Sequence, residues 1–440
     1  MKASQQKKPL DKASAAKFIV CSLLGVFLFF IQIPVNGVKT LPIDMVTSLF
    51  TNALSTHYTE VLLVCTALYV VNLVHNWNKK KMSAADIVIM VLSILGGIMI
   101  VMMEFKIGPA FLFESDIIPA AVSNMGKAFV MVYIVTFFLP FLLNYGLVDF
   151  FGVIFRPVMR LIFKLPGRTA VVAIGAFLGN FTVGHIQANE LYVSGKITTR
   201  EANIIDTCFC TTSIALLLLF ANATGQISNW NKVFFVTLVT VYVVSAIVVH
   251  LPPLSRISDN YYEGTTPNPE VLVRNNILSE AFQTGVDAAT KSPNPLKAVW
   301  LSGKNSLMMV AAIHVSSVAT WVLPALVNKY TPIFKWLGNI FLPILNIIGM
   351  PNAAELSQAI GLSFVNPISA TVGLGAMKLE PAAMFFAACF AAPIVIFFGA
   401  FLSSMYSTKV PVKFSHVILV WFERAILVVV ILGLVCKIMF

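Results

Sequence analysis

Four polar residues, His185, Gln187, Asn189 and Glu190, stand within six positions of an otherwise apolar stretch. Imidazole, amide and carboxylate at that density suit the binding of a small polar solute. Glu190 has a second reading, as an interfacial partner of Lys196 or Arg200. Further on, Asn203, Asp206, Thr207, Cys210 and Ser213 recur at i, i+3, i+4, i+7 and i+10 and so share one face of a helix. Such a stripe lines a solute path or joins helices through small and hydroxylated side chains. Thr211, Thr212 and Ser213 offer oxygens, the donors a small hard cation prefers. In the second half, Glu355 and Gln358 open an interrupted segment, and Asn366, Ser369 and Thr371 follow its break. His314 stands alone among apolar residues, as a packed histidine does, and Glu423 and Arg424 are adjacent, so they cannot pair with each other across a helix.

The elements that position these groups must lie in a membrane. Of 440 residues, 58% are hydrophobic and 11% charged, against roughly 45–50% and about 25% in soluble domains. Runs without Asp, Glu, Lys or Arg cover 18–38, 61–78, 87–103, 128–148, 207–231, 233–249, 305–328 and 381–408. Each approaches or exceeds the ~17–25 residues that a helix needs to cross a bilayer. The fold class is all-α polytopic, with about nine transmembrane helices. A charge at the bilayer centre costs about 2.5–3.5 kcal/mol on insertion scales, so Asp206 and Glu190 need compensation there. The six cysteines form no CxxC pair or ligand cluster and read as small buried hydrophobes.

The charges also orient the chain. Lys2, Lys7, Lys8, Lys12 and Lys17 precede a first apolar run read as a retained span. With that end cytoplasmic, Lys79, Lys80 and Lys81, then Arg156, Arg160, Lys164 and Arg168, and then the segment 252–302 all fall inside. The positive-inside rule predicts this asymmetry, and it accounts for a net charge of +11 without a nucleic-acid partner.

Two segments, 169–196 and 353–377, are interrupted mid-depth by Gly179-Asn180 and by Asn366-Pro367. Irregular backbone survives at that depth only when buried in protein or lining a watery cavity, so both are expected to be re-entrant helical hairpins. The chain also repeats at an offset of 181–186 residues: Leu139-Pro140 returns as Leu323-Pro324, Pro157 as Pro343, and Ile186 and Ala188 as Ile368 and Ala370. Each unit reads as a span, an amphipathic interfacial helix, a hairpin and two spans. Three crossings per unit invert the second unit, the pattern of secondary transporters.

Residues 127–440 resemble the Gate-domain (nucleoside-recognition) membrane family, in its YjiH-type branch, and more distantly the concentrative nucleoside transporters. The residues that carry the likeness are Asn180-x-x-Val183-Gly184, Ile197-Thr198-x-x-Glu201, Thr207-x-Phe209 and Thr212-Ser213-Ile214, with a looser match at Gly349-Met350-Pro351 and Gly361-Leu362. The resemblance implies a sodium ion held by Asn180, the carbonyl of Val183, Thr212, Ser213 and the carbonyl of Ile214. It implies trimers by analogy, hence a homo-oligomer. The base-reading triplet of those transporters is replaced here by His185-Ile186-Gln187, and the ribose-holding polar pair by apolar sequence around Ala391-Ala392-Pro393.

The expected organisation is a tail and three-span scaffold (1–126), a first Gate repeat (127–251), a cytoplasmic loop (252–302) and a second, inverted repeat (303–440). The expected function is secondary transport of a small polar organic solute, a nucleoside-like molecule, an amino acid or a small dipeptide, across a bacterial inner membrane. His185, Gln187, Asn189, Asp206, Glu355, Asn366 and Ser369 would bind the solute, with sodium as coupling ion and no other cofactor. A non-transporting assembly or signalling component is the alternative. An enzyme is not expected, since no nucleophile–base pair or metal motif stands out.

Overall fold

In a computed structural model, the residues described are 11–35, 37–76, 84–268, 270, 276–398 and 400–440. Lys2, Lys7, Lys8, Lys79, Lys80 and Lys81 lie outside them. Eight helices among the described residues are long and apolar enough to cross a membrane: Lys12–Phe30, Tyr58–His75, Ile87–Phe105, Ile118–Phe138, Thr199–Ala223, Ile227–Val248, Pro295–Tyr330 and Phe414–Met439. Their outward faces carry Val20, Leu23, Val71, Ile98, Phe235 and Val239, all well exposed. Lipid satisfies such faces and water would not. The protein is a multi-pass, all-α membrane protein; a two-stranded antiparallel ribbon, Ile33–Val35 with Val38–Thr40, sits beyond the first span.

A ninth crossing differs from the plain span expected over 381–408. It is built from Pro381–Cys389, Ala391–Ile394, an unwound stretch at 395–398 and Ala400–Tyr406. The span from Thr199 is broken in the same way, by a π-helical turn at Ile205–Phe209 and a non-helical stretch at 210–213. The polar stripe from Asn203 to Ser213 is therefore not carried on one continuous helix. Apolar composition does not reveal the second break, because Val395, Ile396, Phe397 and Phe398 are all hydrophobic, whereas the first break carries Thr211, Thr212 and Ser213.

Cross-chain hydrogen bonds sort the ends of the crossings onto two faces. On the N-terminal face, the Lys17 ammonium donates to the Ser292 carbonyl at 2.5 Å, Arg200 to the Leu254 carbonyl, and the Lys409 amide to Asn189 Oδ1 at 2.8 Å. On the opposite face, Trp230 Nε1 donates to the Phe29 carbonyl at 2.6 Å, and Lys329 pairs with Glu114. A Cβ on Gly375 would collide with the Ala223 carbonyl. The first hairpin thus begins and ends on the N-terminal face, and the second on the opposite face. The two repeats are inverted.

The segment expected as a loop, 252–302, is partly helical. Ile277–Lys291 forms an amphipathic helix, and the long helix already starts at Pro295. Ala281, Gly285 and Ala289 recur every four residues on its buried face, small enough for backbones to meet. Gly146, at φ +97°, is held so close to Gly285 that any Cβ there would strike its carbonyl. Arg156 pairs with Glu280, and Arg160 with Glu270 at 2.7 Å, tying this segment to the amphipathic helix Leu147–Phe163. Its polar residues resemble those of a loop, and only the tertiary partner makes the small-residue face informative.

Arg424 is fully buried in the last span. Its Nε and Nη2 donate to the Pro393 carbonyl at 2.9 and 2.6 Å, and Nη1 donates to Ser245 Oγ at 3.1 Å. Ser245 Oγ in turn donates to the Cys208 carbonyl in the π-turn at 3.1 Å. One guanidinium thereby satisfies backbone next to both broken spans. Arg424→Leu is expected to lower stability by about 1–3 kcal/mol, the cost of leaving a buried acceptor unpaired. Thermal unfolding in detergent measures this, and an unchanged melting temperature would contradict it.

Candidate functional site

Each hairpin turns on an asparagine. In the first, Thr169–Leu178 ends at Gly179, and Asn180 caps Phe181–Val193 by accepting the Thr182 amide on Oδ1 at 2.8 Å. The arms fold back closely, since a Cβ on Gly184 would lie 2.8 Å from that of Ala176. In the second, Ala353–Ser363 leads to Asn366, which caps Pro367–Gly375 by accepting the Ile368 and Ser369 amides at 2.9 and 3.2 Å. Pro367 at the first helical position has no amide to leave unpaired. Asn180 and Asn366 occupy the same place in the two inverted repeats.

The unwound stretches lie beside these tips. Ser213 accepts the Leu216 amide at 3.3 Å and caps Ile214–Ala223. The Phe398 amide donates to the Phe364 carbonyl at 2.7 Å, tying the second break to the end of the second hairpin's first arm. Helix ends carry unpaired amides or carbonyls and partial charges of either sign. Gathered inside a bundle, they can replace part of the hydration of an ion or solute.

A cavity of about 450 Å³ lies among the two tips, the stretch at 210–213 and the long helix Pro295–Tyr330. Its polar lining includes Asn180, Gln187, Ser213, Ser302, His314 and Asn366. Gln187 Oε1 and His314 Nε2 are buried there without hydrogen-bond partners. Towards the N-terminal face it reaches Asn144 and Asp149. Burial raises the Asp149 carboxyl above its ordinary value, and nearby Lys291 partly offsets this.

A second cavity of about 290 Å³, lined by Asp116, Asn328, Glu355, Gln358 and Ser369, lies towards the opposite face. Between the two, Asn366 Nδ2 donates to Thr320 Oγ1 at 2.9 Å. Thr320 lines the first cavity and its neighbour Trp321 the second. This contact between hairpin and long helix divides them.

Of the chain, residues 125–227 match the family model described as Gate, nucleoside recognition. This stretch is similar to the Gate family. An uncharacterized protein of Alkalihalophilus pseudofirmus is 27% identical over 457 residues, covering 99% of this chain and 97% of its own. Among solved structures, CNTnw in an inward-facing substrate-bound state is 13% identical, with a TM-score of 0.41 over 98% of this chain and 94% of that one. An outward-facing CNTnw variant is 11% identical, with a TM-score of 0.36 over 99% and 94%.

The matched stretch contains the first hairpin and the first broken span, so most of the expected residues fall within it. Of the expected solute ligands, the structure brings Gln187 of the first hairpin and Asn366 of the second to the main cavity. Glu355 and Ser369 line the smaller one. His185 and Asp206 line neither. Both are fully buried and bonded to each other, Nδ1 to Oδ1, at 2.9 Å. Asn189 is likewise engaged, accepting the Lys409 amide near the N-terminal face. Of the implied sodium ligands, Asn180, Val183 and Ser213 line the cavity, while Thr212 and Ile214 are buried beside it in the chain.

The sequence places a membrane span at 305–328 but did not single out the hydroxyl face of this long helix. Ser302, Ser306, Ser317 and Thr320 share one of its faces with His314 nearby, and all line the cavity. The 3.6-residue recurrence of hydroxyls was the available signal. Gln187→Cys is expected to react with an impermeant maleimide from the N-terminal face and Gln358→Cys from the opposite face, since the six native cysteines are buried. Labelling of both from one side in oriented vesicles would contradict the two-cavity arrangement.

Proposed function

We propose that the protein is a secondary active transporter that couples a cation, sodium in the first instance, to movement of a small polar organic solute. The observation that carries this reading is the cavity at the meeting point of two inverted hairpin tips, each capped by an equivalent asparagine and each beside an unwound span. Broken helices in corresponding positions of inverted repeats are how transporters hold solute and ion near mid-membrane. A cavity of about 450 Å³ lies within the ~300–1,000 Å³ range of small-molecule sites, which suits a nucleoside, an amino acid or a small dipeptide. The Gate description makes nucleosides the first solutes to test.

In this reading Gln187, His314 and Asn366 hydrogen-bond the solute. Asn180, Ser213 and Thr212, with the carbonyls of Val183 and Ile214, hold the sodium ion. The N-terminal face is cytoplasmic in a bacterial inner membrane, and the conformation is inward-open, closed on the other side by the Asn366–Thr320 contact. Alternating access then requires that contact to part.

A thermal-shift screen of purified protein against these solute classes, with and without sodium, tests the reading, because a ligand bound only by the folded state raises stability by ~2.7 kcal/mol at a hundred times its Kd. One class is expected to stabilise the protein in a sodium-dependent manner. Gln187→Ala should lose the solute shift and keep the sodium shift, whereas Ser213→Ala should lose the sodium shift and, with it, the sodium-dependent solute shift. No shift with any solute in either salt would favour a non-transporting assembly component.

A further inference from the structure

His185, Asp206 and Cys210 offer one ring nitrogen, one carboxylate oxygen and one sulfur, all within 4.8 Å of one another. All three are fully buried. They take no part in either cavity, and the proposed transport function leaves them without a role. We propose that they form a binding site for a divalent transition-metal ion of the zinc type, which clamps the first hairpin to the first broken span.

The local structure brings the donors together deliberately. His185 lies on the second arm of the first hairpin, one residue after Gly184. A Cβ on Gly184 would lie 2.8 Å from Cys210 Sγ, so only glycine lets the arm approach the sulfur this closely. Asp206 belongs to the π-helical turn Ile205–Phe209, and Cys210 closes it, donating its amide to the Ile205 carbonyl at 3.1 Å. Single π-turns are rare and recur at functional sites. The His185 ring is held edge-on by Phe401 at 4.9 Å and by Phe181 at 6.3 Å, which limits its rotation.

The bonding is incomplete without a ligand. His185 Nε2 and Asp206 Oδ2 are both buried with no hydrogen-bond partner. A buried polar atom of this kind costs free energy unless something satisfies it. A metal held by one nitrogen, one oxygen and one sulfur would replace the His185–Asp206 hydrogen bond and the 4.0 Å contact from Cys210 Sγ to Asp206 Oδ1 with coordination bonds, through the mixed donor set that zinc accepts. It would also balance charge: a dication, one thiolate, one carboxylate and a neutral imidazole sum to zero, so no net charge is left inside the bilayer. The thiol proton leaves to solvent as the metal binds. Sodium prefers oxygen donors, which separates this site chemically from the oxygens of Asn180 and Ser213.

The test is a cobalt titration of metal-stripped, full-length protein in detergent, read by absorption. One cobalt per chain is expected, with a near-ultraviolet sulfur-to-cobalt charge-transfer band. Cys210→Ser should abolish that band, whereas Cys389→Ser, a buried cysteine away from the cluster, should retain it. His185→Ala should weaken cobalt binding by about tenfold or more, at least the loss typical of a group that merely supports a metal ligand. A monodisperse elution profile for each variant confirms folding. No band in the unmodified protein, or a band that survives Cys210→Ser, would overturn the proposal. Since uptake is not the readout, failure here leaves the transport reading standing.

Discussion

Inside a bilayer the backbone has no water to turn to, and a helix that unwinds there must find partners within the protein. That requirement shapes this molecule more than any single side chain. Four interruptions, two hairpin tips and two broken spans, release amides and carbonyls at depth. Capping by Asn180, Asn366 and Ser213 recovers some of them. Arg424 recovers others, spanning from the Pro393 carbonyl to Ser245 and through it to Cys208. A buried guanidinium is costly alone, and here its donors are spent on backbone that would otherwise be orphaned.

Inversion of the repeats converts those interruptions into a site. The first hairpin enters from the N-terminal face and the second from the other, so their tips meet near the middle instead of stacking on one side. Both capping asparagines keep their local role, but their surroundings differ. Asn180 Nδ2 lies 3.8 Å from Met309 Sδ on the long helix, whereas Asn366 Nδ2 bonds Thr320 on the same helix. A sequence-level symmetry thus yields an asymmetric structure, with a larger cavity on one side of the Asn366–Thr320 contact and a smaller one on the other.

The long helix Pro295–Tyr330 joins the two halves of this arrangement. It packs against the scaffold helix Ala84–Phe105 and against Ile118–Phe138, and it carries the hydroxyl face that completes the cavity wall. Close approach of backbones makes this packing possible: a side chain on Gly96 would meet the Val315 carbonyl. Where the long helix begins, the amphipathic helix Ile277–Lys291 lies across Leu147–Phe163 and the first span, held by the Gly146–Gly285 approach and the Arg156–Glu280 pair.

Much of this was legible in the chain itself. Long charge-free runs specify membrane helices because length and apolarity suffice for insertion. Gly179-Asn180 and Asn366-Pro367 mark hairpin tips because those residues end or cap helices wherever they occur. Tertiary structure decided the rest. Whether His185 and Asp206 face a solute or each other depends on how the hairpin docks against a π-turn, which local periodicity does not encode. The break at 395–398 leaves no mark because its residues are as apolar as a continuous span, and its backbone is stabilised by Phe364 and Arg424, both distant in sequence. The hydroxyls of the long helix become part of a site only where both hairpin tips reach them. Contacts between residues far apart in the chain set these outcomes, and composition reports only what each residue prefers on its own.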